Sequence, residues 1–354
     1  MSMREHILVV DDSALVRQAF SMILNRQFSV DTAADPIVAM RRIQKRRPSV
    51  IVLDLQMPRM DGFTFLKKIM RSDPMPVVIC SAAAAQGSET AMRALEEGAV
   101  DVILKPSIGV REFLEESALQ LIDTLRAAAQ AHVNPSPVNR RPLIPPDTLI
   151  GGLRAHRSTP DIIAIGASTG GTEALRYVIE SLPPNAPGMV VVQHMPEGFT
   201  AAFAKRLNQG ARVEVKEAEY GDAIVPGRVL IAPGNRHTLV KRSGSRYHVL
   251  VTGGPLVSRH RPSVDVLFRS VAQEAGANAV GIIMTGMGDD GAEGMLEMRM
   301  AGAHTIAQDE ASSVIFGMPK EAIARGGASE VLSLTHIPSA ILRYTQKPLA
   351  AHAL

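Results

Sequence analysis

The sequence predicts an α/β protein with two doubly wound, mostly parallel sheets joined by a proline-rich linker. In both halves of the chain, short continuous apolar runs rich in β-branched residues alternate with helical patterns, which is typical of parallel strands buried on both faces. Between the halves, five prolines fall between Pro135 and Pro146 without hydrophobic periodicity, as expected of an extended linker. At 354 residues, the chain is long enough for two domains with sizeable cores.

The composition excludes several classes of protein. A net charge of +3 without a dense Lys/Arg tract, together with no Trp and 4 Tyr, argues against a nucleic-acid partner. The single cysteine, Cys80, excludes an internal disulfide and a Cys-based zinc site, and we expect it to be a buried structural thiol. No stretch approaches the roughly 20 apolar residues that span a bilayer. We therefore expect a cytoplasmic protein without direct membrane insertion.

The first predicted domain covers residues 1–126, because its last helical pattern ends near Arg126. Its predicted strands are the runs HILVV, SVIVLDL, PVVICSA and VDVILKP. Asp35 followed by Pro36 predicts the start of a helix, since aspartate caps the first turn and proline suits the first helical position. The linker then covers residues 127–154, and the second domain residues 155–350.

Polar residues follow the strands of the first domain where each strand ends. The carboxyl ends of parallel strands meet at one edge of a sheet, near the switch in strand order where ligands bind. Carboxylates clustered there favour Mg²⁺, while a lysine and a hydroxyl suit a phosphoryl group. The sequence therefore predicts a carboxylate that accepts a phosphoryl group. The residues concerned are Asp11, Asp12, Asp54, Ser81 and Lys105.

The segments VVDDSALVR, VLDLQMPRMDG and LKPS resemble two-component receiver domains, which have a flavodoxin-like fold. The resemblance implies that Asp54 is the phosphoacceptor. It also implies that Asp12 and Asp54 bind Mg²⁺ directly, with help from the Gln56 carbonyl, and that Asp11 acts mostly through water.

The same resemblance implies that Ser81 and Lys105 contact the phosphoryl group. Receivers often carry a switching Phe or Tyr three residues before this lysine, and here that position is Val102. We therefore expect phosphoacceptance without the aromatic version of the switch.

The second domain has predicted strands over DIIAIGAS, GMVVVQHM, GRVLIAP and AVGIIMTG, and a glycine-rich turn follows the first of them. A dinucleotide fingerprint needs glycine where Ser168 stands, and no Gly-Lys-Ser/Thr follows to make a P-loop. Gly166 to Gly170 instead match G-x-S-x-G, in which a sharp strand-to-helix turn exposes a nucleophilic serine. The turn alone leaves a catalytic and a structural role open.

A serine nucleophile needs a base and an acid that orients it. His194 directly follows GMVVVQ, and Asp289 and Asp290 lie in MTGMGDDG after another apolar run. These groups share the carboxyl ends of strands with Ser168, which favours a hydrolase. Which aspartate serves His194 stays open from the residues themselves.

Three further histidines fit this constellation less well. His237 and His260 belong to loops rich in Gly, Pro and Arg, for which we expect substrate contact, whereas His304 begins a strand-like run and is expected to be structural.

Five segments across the second domain carry a second resemblance, which covers nearly the whole chain together with the receiver. IGASTGGTEAL, VVQHMPEGFT, RPSVDVLF, MTGMGDDGAEG and QDEASSVIFGMP resemble the chemotaxis protein-glutamate methylesterases, so that a Rossmann-like methylesterase domain is expected. The resemblance implies Ser168 as nucleophile, His194 as general base and Asp290 as orienting acid. It places the Met287 backbone N–H and Thr169 at the oxyanion.

The resemblance also implies an activity and partners. The expected enzyme demethylates glutamate methyl esters on methyl-accepting chemoreceptors and deamidates receptor glutamines. A chemotaxis histidine kinase supplies the phosphoryl group, Mg²⁺ serves the receiver, and ester hydrolysis needs no cofactor. In this family the unphosphorylated receiver covers the catalytic cleft. A DNA-binding output module is the alternative, but such modules are short, helical and basic.

Overall fold

The computed structural model of the chain describes residues 4–57, 61–82, 85–105, 111–131 and 162–343. The chain divides into two compact units, each with its own parallel sheet, so the predicted fold class is confirmed. Most of the predicted linker, 132–154, and the end of the predicted second domain, 344–350, lie outside the described residues. No helix among the described residues is long and apolar enough to cross a membrane.

The first unit alternates five strands with five helices. The strands are β1 His6–Val10, β2 Ser29–Ala33, β3 Val50–Asp54, β4 Val77–Ser81 and β5 Asp101–Leu104. The helices are α1 Ala14–Leu24, α2 Pro36–Lys45, α3 Gly62–Ser72, α4 Ala85–Glu96 and α5 Arg111–Gln130. All strand pairs are parallel, in the order β2-β1-β3-β4-β5. This is the flavodoxin-like order, with its switch point between β1 and β3.

Helix α2 begins as predicted, because the Asp35 carboxylate accepts the Val38 N–H at 2.8 Å and Pro36 occupies the first turn. Strand β2 was not among the predicted strands. It is a half-exposed edge strand of sequence SVDTA and lacks the continuous apolar run of the buried strands. Helix α5 ends at Gln130 rather than near Arg126, because Ala127 and Ala128 continue its buried face.

The second unit is larger and contains a seven-stranded sheet and a hairpin. Its strands are β6 Ile162–Ala167, β7 Gly188–Gln193, β8 Glu214–Glu217, β9 Arg228–Ile231, β10 His237–Ser243, β11 Arg246–Thr252, β12 Ala279–Ile283, β13 His304–Gln308 and β14 Glu330–Leu332. Its helices are α6 Gly171–Glu180, α7 Thr200–Gly210, α8 Val264–Glu274, α9 Ala292–Met300, α10 Met318–Ala324 and α11 Ile337–Arg343.

The order of the large sheet is β14-β13-β12-β6-β7-β9-β8, and every pair in it is parallel. Strand β6 lies between β12 and β7. The chain first adds strands on the β7 side of β6 and later adds strands on its β12 side. This reversal between β6 and β12 is the switch point of a Rossmann-like sheet, where the carboxyl ends of strands form a crevice.

The hairpin of β10 and β11 is antiparallel and was not predicted. Its strands, HTLVKRS and RYHVLVT, contain several charged and polar residues and are only partly buried, unlike the continuous apolar runs of the central parallel strands. Gly244, in the turn between them, has a φ of +60°, the left-handed conformation that tight hairpin turns require.

Candidate active site

The backbone around Ser168 forms a tight turn between β6 and α6. Gly170 has a φ of +78°, and the Gly171 N–H donates to the Ser168 carbonyl at 2.7 Å. A side chain at Gly166 would place its Cβ 2.2 Å from Val264, so this turn needs its small residues. The sequence predicted this strand-to-helix turn.

Strand register brings His194 beside Ser168. Ala167 and Gln193 are partners in the β6–β7 ladder, so Ser168 and His194 are the next position on each strand. The His194 N–H also donates to the Ala167 carbonyl at 3.0 Å. Ser168 and His194 therefore leave the sheet side by side.

Gln193 ties these two residues together, and the sequence interpretation missed it. Its buried side-chain amide donates to the Ser168 carbonyl at 2.9 Å and to the His194 carbonyl at 3.1 Å. A Cβ on Gly171 would lie 2.2 Å from the Gln193 oxygen, so the glycine makes room for this link. The only signal in the sequence was a polar residue at the end of a fully apolar run.

Asp290 is hydrogen-bonded to His194. The Nε2–H of His194 donates to Asp290 Oδ2 at 2.7 Å. The carboxylate is fully buried and accepts three more hydrogen bonds, all from the start of α8. The donors are Ser263 Oγ at 2.7 Å, the Val264 N–H at 2.7 Å and the Asp265 N–H at 3.1 Å.

The environment of Asp290 favours its charged form. Burial alone raises the pKa of this carboxyl, but the hydrogen bond from His194 and the nearby imidazole rings outweigh burial and hold the pKa below its usual range. The amino-terminal end of α8 adds the positive pole of a helix dipole. Asp290 is therefore held as a carboxylate that orients His194.

Asp289 takes no part in this arrangement. It is 45% exposed, and its carboxylate accepts a hydrogen bond from Arg325 Nη2 at 2.7 Å. Of the two aspartates that the residues left open, Asp290 is the one next to His194.

The other ring nitrogen of His194, Nδ1, is buried. Because Nε2 carries the proton shared with Asp290, Nδ1 is left with its lone pair. Within the described residues this nitrogen has no hydrogen-bond partner. In serine proteases of the chymotrypsin type the assignment is reversed, since Nδ1–H donates to the aspartate and Nε2 takes the serine proton.

The loop after β12 lies against Ser168. The Ser168 N–H donates to the Thr285 carbonyl at 2.9 Å, and the Thr285 hydroxyl donates to the Thr169 carbonyl at 3.0 Å. A Cβ on Gly286 would lie 2.7 Å from the Ser168 Cβ. This packing brings the half-buried Met287 next to the nucleophile turn, while Thr169 is buried within that turn.

A second histidine completes the site. The His260 ring stacks on His194, with ring centroids 3.8 Å apart and planes within 6° of parallel. One ligand atom each from His194, His260 and Asp290 lie within 4.8 Å of one another. Parallel rings direct their nitrogen lone pairs side by side rather than toward one point, which is unfavourable for a shared metal ion.

The two other histidines of the sequence interpretation lie elsewhere. His237 is 4% exposed, and its ring bridges the Pro255 carbonyl and the Ser263 N–H, so the expected substrate contact is wrong for this residue. His304 pairs with Glu330 at 3.0 Å between β13 and β14, in the structural role expected.

The acidic cluster of the first unit forms around Asp54. Lys105 Nζ lies 2.7 Å from Asp54 Oδ2 and 3.1 Å from Asp11 Oδ2, and the Gln56 N–H donates to Asp54 Oδ1 at 3.0 Å. Asp54 and Asp11 are buried, whereas Asp12 is exposed. Oxygen atoms of the three carboxylates lie within 4.8 Å of one another.

This cluster fits a magnesium ion. Asp11 Oδ2 is buried and makes no hydrogen bond among the described residues, although it lies near the lysine charge. Burial raises the pKa of the Asp54 carboxyl, and the hydrogen bond from Lys105 only partly offsets this. A divalent cation bound by carboxylate oxygens would compensate such burial.

Ser81 and Lys105 occupy different positions relative to Asp54. Lys105 contacts the carboxylate directly, whereas the buried Ser81 hydroxyl is directed to the Gly87 carbonyl at 3.3 Å. The buried Val102 stands at the position of the aromatic switch residue.

Comparison with known proteins gives a family for each of the two units. Residues 163–341 match the family model described as CheB methylesterase, and residues 7–116 match the response regulator receiver domain. A protein-glutamate methylesterase/protein-glutamine glutaminase of Anaeromyxobacter dehalogenans is 56% identical, with 97% of this chain and 100% of that protein covered. One from Rhodospirillum rubrum is also 56% identical, over 97% of this chain and 99% of its own.

Among solved structures, the catalytic domain of the Thermotoga maritima CheB methylesterase is 38% identical, with a TM-score of 0.50. The match covers 51% of this chain and 97% of that domain.

Proposed function

The chain belongs to the CheB methylesterase family, and from this premise we propose that it is a receiver-regulated serine esterase. Its proposed substrates are glutamate methyl esters on methyl-accepting chemoreceptors, and its second proposed activity is the deamidation of receptor glutamines. The observation that carries the proposal is the hydrogen bond of 2.7 Å from His194 to a buried Asp290, beside the Ser168 turn. The proposal places the protein in the cytoplasm.

In the proposed first step, His194 Nδ1 takes the Ser168 hydroxyl proton as Oγ attacks the ester carbonyl carbon. The carbonyl oxygen becomes a tetrahedral oxyanion. The Met287 N–H, with Thr169 beside the nucleophile, is proposed to stabilise it, and one such donor is worth about 3 kcal/mol.

The intermediate then collapses, and the bond from carbon to the methoxy oxygen breaks. His194 returns its proton to the leaving oxygen, so methanol departs and an acyl-serine remains. Water attacks the acyl-serine with His194 again as base, which releases the glutamate carboxylate and restores Ser168. A glutamine amide follows the same path with ammonia as the leaving group.

Asp290 supports this cycle without taking a proton itself. Four hydrogen bonds hold its carboxylate, and the bond to Nε2–H keeps His194 in the tautomer whose Nδ1 is basic. It also stabilises the imidazolium that forms in each step.

For the receiver, we propose that Asp54 accepts a phosphoryl group from a histidine kinase and that this raises esterase activity. Asp11, Asp12 and Asp54 would hold Mg²⁺, which supplies charge neutralisation for phosphoryl transfer. Lys105 is positioned to contact the phosphoryl oxygens, and Ser81 would reach them by turning away from Gly87.

The test is methanol release from a methylated chemoreceptor preparation. Ser168→Ala should lower the rate by at least roughly 10⁴-fold, as removal of a nucleophile does in serine hydrolases. The half-buried Ser339, on α11, donates its hydroxyl to the His336 carbonyl and supplies the matched Ser339→Ala control, which should keep the wild-type rate. Wild-type methanol release by Ser168→Ala would show that the nucleophile is wrong.

A further inference from the structure

His260 covers one face of the proposed base. The two rings are nearly parallel at 6° and 3.8 Å apart, a separation at which they are in direct contact. The hydrogen bond to Asp290 lies at the edge of the His194 ring and limits where Nε2 points. It does not by itself stop the ring from rocking about that bond. A flat neighbour against the ring face does.

The His260 ring is itself held in place. Its Nδ1–H donates to the Ser258 carbonyl at 2.7 Å, and the Ser258 hydroxyl donates to Asp265 Oδ2 at 3.1 Å. The other oxygen of Asp265 accepts the Gly294 N–H at 2.8 Å, at the start of α9. A chain of hydrogen bonds therefore connects the ring to helices α8 and α9.

The loop that carries His260 is strained. Ser258 and Arg259 have φ values of +48° and +67°, in the left-handed region that non-glycine residues seldom adopt. Such strain persists only where the surrounding structure imposes it, and it concentrates at functional sites. The two strained residues directly precede His260, whose ring lies against His194.

His260 also stays uncharged beside the base. Burial lowers its pKa to about 3, and the neighbouring His194 and Arg259 add to this, against the opposing effects of Asp290 and the Ser258 carbonyl. A protonated ring would repel the imidazolium that His194 becomes during turnover. A neutral aromatic face instead accepts a cation.

We propose that His260 is a positioning residue, whose ring holds the plane of His194 by stacking so that Nδ1 keeps its direction toward the Ser168 hydroxyl through the reaction. This inference rests on the proposed function. It replaces the expectation from the sequence that His260 contacts substrate. The ring of His260 positions His194, whereas its Nδ1–H anchors the loop through the hydrogen bond to the Ser258 carbonyl.

Three variants separate the ring from its N–H group. His260→Phe keeps a flat ring and loses the donor to Ser258, His260→Asn keeps a donor and loses the ring, and His260→Ala loses both. Methanol release from methylated receptor gives kcat and KM for each full-length variant, and thermal unfolding gives Tm.

We expect kcat to depend on whether the side chain at position 260 is a flat ring, and Tm to depend on whether it carries an N–H donor. His260→Asn and His260→Ala should lose kcat on the order of tenfold with little change in KM, because a misdirected base slows chemistry rather than binding. His260→Phe should keep kcat within about twofold despite a lower Tm, since a phenyl ring stacks equally well. The dependence of its kcat on pH should also match that of wild type from about pH 5 to about pH 9, because the His260 ring of wild type carries no charge over that range.

Several results would overturn the proposal. If kcat falls in step with Tm across the three variants, the role of His260 is only structural. If KM rises while kcat stays constant, the residue contacts substrate. If His260→Phe is as slow as His260→Ala, a ring nitrogen takes part in the reaction. If His260→Ala fails to fold, the comparison of His260→Phe with His260→Asn still tests the proposal.

Two controls accompany the variants. His304→Phe changes the first residue of β13, at the amino-terminal edge of the sheet opposite the strand ends that carry the site, and it should keep wild-type kcat. Ser168→Ala distinguishes a failure of the proposed function from a failure of the positioning role. Methanol release that survives Ser168→Ala contradicts the proposed function. His260 variants with wild-type kcat contradict only the positioning role.

Discussion

Asp54 and Asp290 are both buried aspartates at the carboxyl edge of a parallel sheet, yet their surroundings differ. Asp290 accepts four hydrogen bonds, and its pKa lies below its usual range despite burial. Asp54 accepts hydrogen bonds from Lys105 and Gln56 among the described residues, and burial raises its pKa. A carboxylate whose lone pairs are all engaged orients a neighbour. One with lone pairs left over can bind a cation and attack phosphorus. The number of donors, rather than the residue type, therefore distinguishes the two proposed roles.

The largest expected effect comes from Asp290, the proposed orienting acid. Asp290→Asn should lower methanol release by about 10⁴-fold, because an amide facing Nε2 favours the wrong histidine tautomer. Asp289→Asn is the matched control, since that residue pairs with Arg325 at the surface, and it should stay within about twofold of wild type. Equal losses in the two variants, or a larger loss in Asp289→Asn, would show that the assignment of the acid is wrong.

The next effect concerns Gln193, which holds the nucleophile and the base together. Gln193→Met preserves volume but removes both donors, so we expect kcat to fall by roughly 10- to 100-fold through misplacement of Ser168 against His194. The two buried carbonyls left without this donor should also lower stability by about 1–3 kcal/mol. Kinetics and urea unfolding of the same preparation measure both. An unchanged kcat would mean that the backbone turn alone sets the geometry.

On the receiver side, Asp54→Asn should abolish the stimulation of methanol release by acetyl phosphate with Mg²⁺ present. The triad is untouched in this variant, so release without the phosphodonor should remain measurable. The ratio of the two rates is the readout, and a ratio equal to that of wild type would contradict Asp54 as phosphoacceptor.

The last expected effect is on stability rather than rate, and it is a pH dependence that arises from His260. Its pKa is about 3 in the folded protein and 6.5 ordinarily, so below about pH 6.5 the unfolded chain binds a proton that the folded chain does not. The free energy of unfolding therefore falls as pH falls, by at most about 1.4 kcal/mol per pH unit, until the folded ring protonates near pH 3.

His260→Phe removes this proton uptake while His194, Asp290 and Arg259 remain around the site. The Tm of wild type minus that of the variant should therefore decrease as pH is lowered from about 6.5 toward 3, and be constant above about pH 7.5. Calorimetry of the two proteins across this range checks the slope. Parallel curves would mean that His260 takes up a proton as readily in the folded protein as in the unfolded chain, so that its pKa is not lowered by folding.

The sequence predicted the features that depend on local pattern. Continuous apolar runs predicted the central strands of both sheets, and Asp35-Pro36 predicted a helix start that the structure confirms. The same pattern placed Ser168, His194 and Asp290 at strand ends, although their catalytic roles remain predictions. Choosing Asp290 over Asp289 came from resemblance, because adjacent aspartates in a glycine-rich turn have the same local signature.

The features that the sequence did not predict depend on tertiary contacts. Strand β2 is an edge strand with too few apolar residues to stand out, and β10–β11 form a hairpin outside the parallel sheet. Gln193 and His260 act through contacts with distant chain segments. No periodicity encodes the stacking of two histidines whose ring centroids are 3.8 Å apart and which are separated in sequence by helix α7 and the four strands β8 to β11.

The contrast between the two aspartates is tested most directly by finding which carboxylate reacts. The full-length protein is treated with acetyl phosphate and Mg²⁺, the acyl phosphate is reduced with borohydride, and the resulting homoserine is located by mass spectrometry. The account predicts modification at Asp54 and an unmodified Asp290. Homoserine at Asp290, or at Asp11 or Asp12 in place of Asp54, would contradict it.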